Sequence, residues 1–429
     1  MKAGFGTADI TPAVPCLKLG WLRQVRATRV ADPLYARAMV LDGDGGRAVF
    51  LALDTLSIRH AQVARIRERV TAATGIPGDR VLVAATHNHA GPAVAHAEDT
   101  LRDETYLAIL VDRAVEAVAA AVAGLRDAEV GFGRAVETGI AHNRRVVYRD
   151  GIVRTHGPLA HLDALFTEGP IDPVVAVLAA RDLAGKPLGC LVNFAMHPTF
   201  HGDSDAISAN WPGVMVDRLG DAGWPVPVFL QGAMGNIATT PPGVPDAMDA
   251  TGATMAAAAL RALDTVAWRP AMDIRSAVET VQLPFRDPSP DQVAGTVRGA
   301  QRFIDPAIYD RDMPRLVAKI RARGTQVASV QAVRVGDHAF VAIPGELFVE
   351  LGLAIKERAF PVQVHVAGCA NGMVGYVPTR AAFPRGGYET TFAATSKLAP
   401  EAGDLLVEAA LRAVRQAATG WGKPRAAAV

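Results

Sequence analysis

The chain has 429 residues, half of them hydrophobic and a fifth charged, with a formal net charge of +1. That length can bury a large core, as one large domain or two ordinary ones. The near-neutral balance removes any electrostatic case for nucleic acid or an anionic membrane surface as partner. Three cysteines, Cys16, Cys190 and Cys369, are odd in number and lack metal-type spacing, so they read as reduced thiols rather than a disulfide frame.

In chain order, the opening M-K-A-G-F-G-T-A-D-I-T-P lacks the apolar run and cleavage site of a secretion signal, and a cytoplasmic protein is expected. Segments 36–41 and 48–53 are apolar runs joined by a turn containing Gly43-Asp44-Gly45-Gly46, a hairpin signal. A helix is predicted from about residue 58, with Val63, Ile66 and Val70 on one face, followed by a strand over Val81–Ala85. Segment 106–125 is the most apolar helix, but Asp112, Arg113 and Glu116 interrupt it. Val111, Ala114, Val115, Val118 and Val122 fall at helical spacing, so it reads as buried and amphipathic, with no stable membrane association. The connector 126–161 holds short strand-like pieces and the polar turn H-N-R-R (142–145).

The pattern then recurs. Segments 174–179 and 188–193 flank a turn at Ala184-Gly185-Lys186, a helix follows over 212–219, and a strand over 226–230 leads into Q-G-A-M-G-N. After a mixed stretch, 265–286, and one or two surface helices within 288–323, segments 330–335 and 339–343 flank Gly336-Asp337. A helix near 347–356 and a strand over 362–366 close that unit, and a last helix spans 400–418, stopped by Gly420. The expected fold is α/β, with mixed sheets and flanking helices. Three repeated hairpin-helix-strand units would surround a central metal site within one catalytic domain, 1–429.

Polar residues gather at the ends of these strands. His87 and His89 follow Val81–Ala85; in a strand, residues two apart share a side, so both imidazoles would face one spot, as a metal ligand and a neighbouring acid/base. His197 and Glu346 each follow a hairpin, and Tyr376 follows the third unit's last strand. Strand-end loops on a rigid sheet are where sites are built. Two histidines and a carboxylate make a catalytic zinc set with a position left for water or substrate, and no H-E-x-x-H helix is present. Taken singly, each residue has a bland alternative: loop histidines with satisfied rings, a carboxylate at a helix start, a half-buried tyrosine. His201, at i+4 from His197 across Pro198, reads as a nearby polar residue. Asp54, Asp203 and Asp205 either support the site from behind or cap turns.

The motifs T-H-N-H-A-G-P (86–92), Asn143-Arg144, N-F-A-M-H-P-T (193–199), Q-G-A-M-G-N (231–236), Pro344-Gly345-Glu346 and N-G-M-V-G-Y (371–376), after the opening G-F-G-T-A-D-I-T-P (4–12), resemble the neutral/alkaline non-lysosomal ceramidase family. The resemblance runs from Gly4 to about Glu389. It implies a zinc-dependent hydrolase cleaving the amide of an N-acyl compound, with His87, His197, Glu346 and Tyr376 holding Zn2+. It further implies His89 as the proton carrier and Arg144 and Tyr388 beside the developing oxyanion.

Two departures matter. The family's G-D-x-S-P-N reads G-N-I-A-T-T (235–240), so Asn236 replaces the acid and Ala238 the serine, which removes a serine acyl-enzyme at that position and favours attack by metal-activated water. Neither the family's C-terminal domain nor its secretion signal is expected here, nor an exposed apolar helix for lipid capture, so a small, soluble N-acyl substrate is expected. The alternatives are an esterase or lactonase using the same metal, or a ligand-binding homologue without turnover. Assembly into a homo-oligomer is left open.

Overall fold

The computed structural model describes residues 1–97, 99–240 and 243–418; Gly420 falls outside them. Three larger sheets organise the chain. The first runs, in spatial order, Val81–Ala85, Gly46–Leu53, Tyr35–Gly43, Lys2–Asp9, Arg126–Asp127. The second runs Val228–Gln231, Pro187–Phe194, Val174–Arg181, Glu129–Val136, Ala267–Arg269. The third runs Ile274–Pro284, Thr325–Val335, His338–Ala342, Gln363–Ala367.

In each sheet an antiparallel hairpin is followed, through a helix, by a strand parallel to the hairpin's second member. The helices are His60–Thr74, Asn210–Asp221 and Val349–Arg358. A parallel return needs such a crossover, and it sends each returning strand to end beside its hairpin.

Phe50, Leu82, Leu191, Leu230, Val333 and Phe340 form a core shared by all three sheets, with the Phe50 and Phe340 rings edge-on at 4.9 Å. Each such side chain removed from water contributes roughly 1.5–3 kcal/mol. Helices Glu104–Ala123, Ala247–Leu263 and Ala402–Ala418 pack against the first, second and third sheets respectively. Sheets buried on two faces explain why strands such as Val81–Ala85 are continuously apolar.

The expected hairpins and crossovers occur, with ends extended by a few residues. Helix Ala247–Leu263 was not anticipated, because its alanine run 256–259 offers no polar contrast to mark a face. The stretch 265–286 proves to be two strands, and Ile274–Pro284 pairs along its whole length with Thr325–Val335. Its middle is only half-buried, so alternation there is weak.

Candidate metal centre and active site

His87, His89 and His197 come together, one ring nitrogen of each lying within 4.8 Å of the others. The His87 ring stands edge-on to His89 at 4.8 Å and to His197 at 5.0 Å. Strand alternation is not what brings the first two together: the strand ends at Ala85, and His87 is left-handed, with φ of 64°. A non-glycine residue there is uncommon and marks a constrained position.

Every ring is fixed from behind by a backbone carbonyl. Nδ1 of His87 donates to Leu56 O (2.8 Å), that of His89 to Gly20 O (2.5 Å), and that of His197 to Ile237 O (2.8 Å). A carbonyl only accepts, so each Nδ1 carries a proton, and Nε2 of each ring that is neutral presents its lone pair. Nε2 of His87 and of His89 are buried without a hydrogen-bond partner among the described residues. Glu346 closes the group, its Oε2 lying 3.3 Å from His197 Nε2 and 3.5 Å from His87 Nε2. Its place is set by a short parallel pairing of Glu346–Leu347 with Tyr376–Val377, in which Glu346 stands opposite Tyr376.

Burial and the charge of its neighbours make the electrostatics one-sided. Burial opposes the Glu346 charge, but His87 and His197 hold its carboxyl well below the usual range. Burial, then Arg144, lowers His197 to about 4, and burial with the neighbouring His87 and His197 rings keeps His89 neutral. Burial disfavours a charge on His87 too, yet the Cys369 sulfur and Glu346 outweigh it and raise the ring to about 10. Glu346 thus needs one positive charge beside it, which a proton on His87 or a cation among the rings would supply equally. Fixed Nδ1 donors, orphaned Nε2 atoms and a buried carboxylate are the donor set of a histidine–carboxylate metal site. The residues fit a zinc ion.

A cavity of about 160 Å3 opens onto this cluster, lined by His87, His89, Glu346, Tyr376 and Tyr388. Leu19, Trp21, Leu22, Leu56 and Ile304 supply an apolar wall. Tyr376 is buried, and burial followed by the Glu346 charge raises its hydroxyl well above the usual value. The half-buried Tyr388 ring lies 5.6 Å from that of Tyr376.

Arg144 sits behind the tyrosines, outside the cavity wall. It donates to Tyr376 Oη (3.1 Å), to Gly235 O (2.8 Å) and, through Nε, to Glu389 Oε1 (2.7 Å). Glu389 was not anticipated. It is fully buried and also accepts from Arg145 (2.9 Å) and Thr155 (2.7 Å). Burial opposes its charge, but Arg144 and Arg145 outweigh this and lower it to about 2. Its adjacency to Tyr388 was the one available signal.

Other expected residues fall outside the cluster. His201 bonds with Ser204, and its carbonyl accepts from Lys18. Asp54 accepts from Arg37 (2.7 Å) and from the Tyr35 amide, and Asp205 from Thr28 and Arg29; Asp203 is exposed. Asn236 ties the loop before helix Val349–Arg358 to its surroundings, accepting from Val349 N (2.9 Å) and donating to Glu350 (2.9 Å). Ala238 pairs with His142 in a short ladder and is not among the residues that line the cavity.

Known proteins share this fold. The crystal structure of neutral ceramidase from Pseudomonas aeruginosa is similar in fold, with a TM-score of 0.74 at 20% identity, covering 97% of this chain and 74% of that one. A ceramidase complexed with C2 is similar to the same degree, with a TM-score of 0.75 at 19% identity, covering 96% of this chain and 74% of that one. No curated protein matches the chain. The profile described as neutral/alkaline non-lysosomal ceramidase, N-terminal, matches residues 1–216, half of the sequence. The chain belongs to the neutral/alkaline non-lysosomal ceramidase family.

Proposed function

We propose that this protein is a zinc-dependent amidohydrolase acting on a small N-acyl compound. The observation that carries the reading is the set of three imidazoles, each anchored through Nδ1 to a carbonyl, gathered around the buried Glu346 carboxylate. His87, His197 and Glu346 would hold the ion, with Tyr376 next to them. A bound zinc ion would supply Lewis acidity toward a carbonyl and bring the pKa of water down to roughly 7.

The chain's own groups supply the rest. His89 is neutral, and its Nε2 can take a proton from the attacking water and return it to the leaving amine. Tyr388 lines the cavity and can donate to a developing oxyanion, a contribution typically worth a few kcal/mol. Arg144 is a positioning residue: it binds the Tyr376 hydroxyl rather than reaching the cavity. The apolar wall at Trp21 and Leu22 accommodates an acyl group and excludes water from the reacting carbonyl. Ala238 offers no nucleophile. No described helix is long and apolar enough to cross a membrane.

The test is turnover of matched N-acyl amides and esters by the zinc-supplemented protein beside Glu346→Ala. Hydrolysis of amides that the variant loses supports the reading. Preference for esters over every amide would shift it to an esterase, and equal rates in the variant would end it.

A further inference from the structure

Arg59, His96, Met373, Ala394 and Lys397 line the metal-site cavity and also a second chamber of about 380 Å3 beside it. The second chamber is basic. Arg59, His60, Arg102, Lys319, Arg323 and Lys397 face it, and none of its described lining residues carries a carboxylate. Arg102 pairs with Glu104 at 2.5 Å. Arg59, Lys319, Arg323 and Lys397 form no ion pair among the described residues.

Two of these cations are held only by neutral carbonyls. Arg59 donates to Met373 O (3.3 Å), and Lys397 Nζ to Val374 O (2.7 Å) and Ala394 O (2.9 Å). The accepting carbonyls belong to the loops on either side of Tyr376 and Tyr388. Burial, then Arg59, Lys319 and Arg323, lowers the Lys397 ammonium to about 7. His60 Nε2 is buried and has no hydrogen-bond partner among the described residues. Helix His60–Thr74 starts at this wall with no side-chain cap and no acid in its first turn, and Ala61 lines the chamber. Its positive dipole end adds to the same field. Like charges gathered without a counterion repel one another, and a bound anion relieves the repulsion.

We propose that this chamber binds an oxyanion group of the substrate, a phosphate or a carboxylate, while the amide lies at the histidine cluster next door. The inference rests on the amidohydrolase reading and sharpens it: the substrate is an anionic N-acyl compound. A neutral amide would leave Arg59, Lys319 and Arg323 unpaired, with Lys397 gaining nothing that favours its charged form.

Inorganic phosphate and succinate are titrated calorimetrically into the full-length protein, Arg59→Gln/Lys397→Gln, Lys319→Gln/Arg323→Gln and His87→Ala/His197→Ala. The Lys319 and Arg323 side chains are exposed, so that pair keeps the test valid should the more buried pair fail to fold. At least one probe binds, each basic double variant weakens it about tenfold or more, and the histidine variant leaves it unchanged. Preference for phosphate identifies a phosphorylated substrate, and preference for succinate a carboxylated one. Binding of neither probe, affinity unchanged in the basic variants, or affinity lost only in the histidine variant overturns the proposal. Retained anion binding without turnover of any N-acyl compound would overturn the amidohydrolase reading while supporting the anion site.

Discussion

Replacing Glu389 by Gln keeps the shape of the side chain and removes the carboxylate that Arg144 and Arg145 share. In the folded protein this carboxyl is lowered from 4.5 to about 2. That lowering corresponds to roughly 3 kcal/mol of stability at neutral pH. Breaking a buried pair by removing one partner costs a comparable ~3–5 kcal/mol. Because the folded pKa is depressed, the contribution is fully present above the unfolded value of 4.5 and is lost as pH falls through the folded value of about 2. At pH 3 about 2 of those ~3 kcal/mol are gone. Denaturant unfolding of wild type and Glu389→Gln at pH 7 and pH 3 should therefore give a stability gap of about 3 kcal/mol that narrows to about 1. Loss of Glu389 also frees Arg144 from the bond that aims it at Tyr376, so turnover should fall at pH 7 even where the variant is fully folded. A gap under about 1 kcal/mol at pH 7, or one that does not narrow in acid, refutes the reasoning.

Two further substitutions probe the supports of the site. Gly20 has φ of 118°, and a Cβ there would lie 3.1 Å from His89 Nδ1. Gly20→Ala should cost ~1 kcal/mol or more in stability and slow turnover by displacing His89, with metal content unchanged. Loss of metal instead would show that His89 is a ligand. Asn236→Asp restores the family's acid but sets it against Glu350, whose carboxyl burial already raises. It should destabilise by ~1–3 kcal/mol at pH 7, less in acid, as read by denaturant unfolding. An unchanged midpoint would mean that the Asn236–Glu350 bond contributes nothing.

Much of the candidate site is legible along the chain because its residues sit at strand ends, where an apolar run stops and a polar residue begins. His87 and His89 after Val81–Ala85, Glu346 after His338–Ala342 and Tyr376 beyond Gln363–Ala367 are found that way. What spacing does not reveal is the layer behind them. The carbonyls of Gly20, Leu56 and Ile237 carry no side-chain signature, yet they set the tautomer of each ring. Glu389 lies 245 positions from Arg144, so only the folded chain shows their bond. The alternation argument reached the right pair, His87 and His89, through the wrong geometry, since the left-handed turn at His87 does the work assigned to the strand. The basic chamber is hidden for a related reason: Lys319 and Arg323 share one helix, but Arg59 and Lys397 lie far from it in sequence, and a net charge of +1 conceals a local excess.

The central claim is that His87, His197 and Glu346 hold a metal beside His89, and elemental analysis of the purified protein tests it most directly. Wild type should carry about one zinc per chain, His87→Ala/His197→Ala should carry none, and His89→Ala should keep the metal while losing activity. A protein without bound metal that takes up no zinc from solution, or a double variant that retains it, would contradict the account.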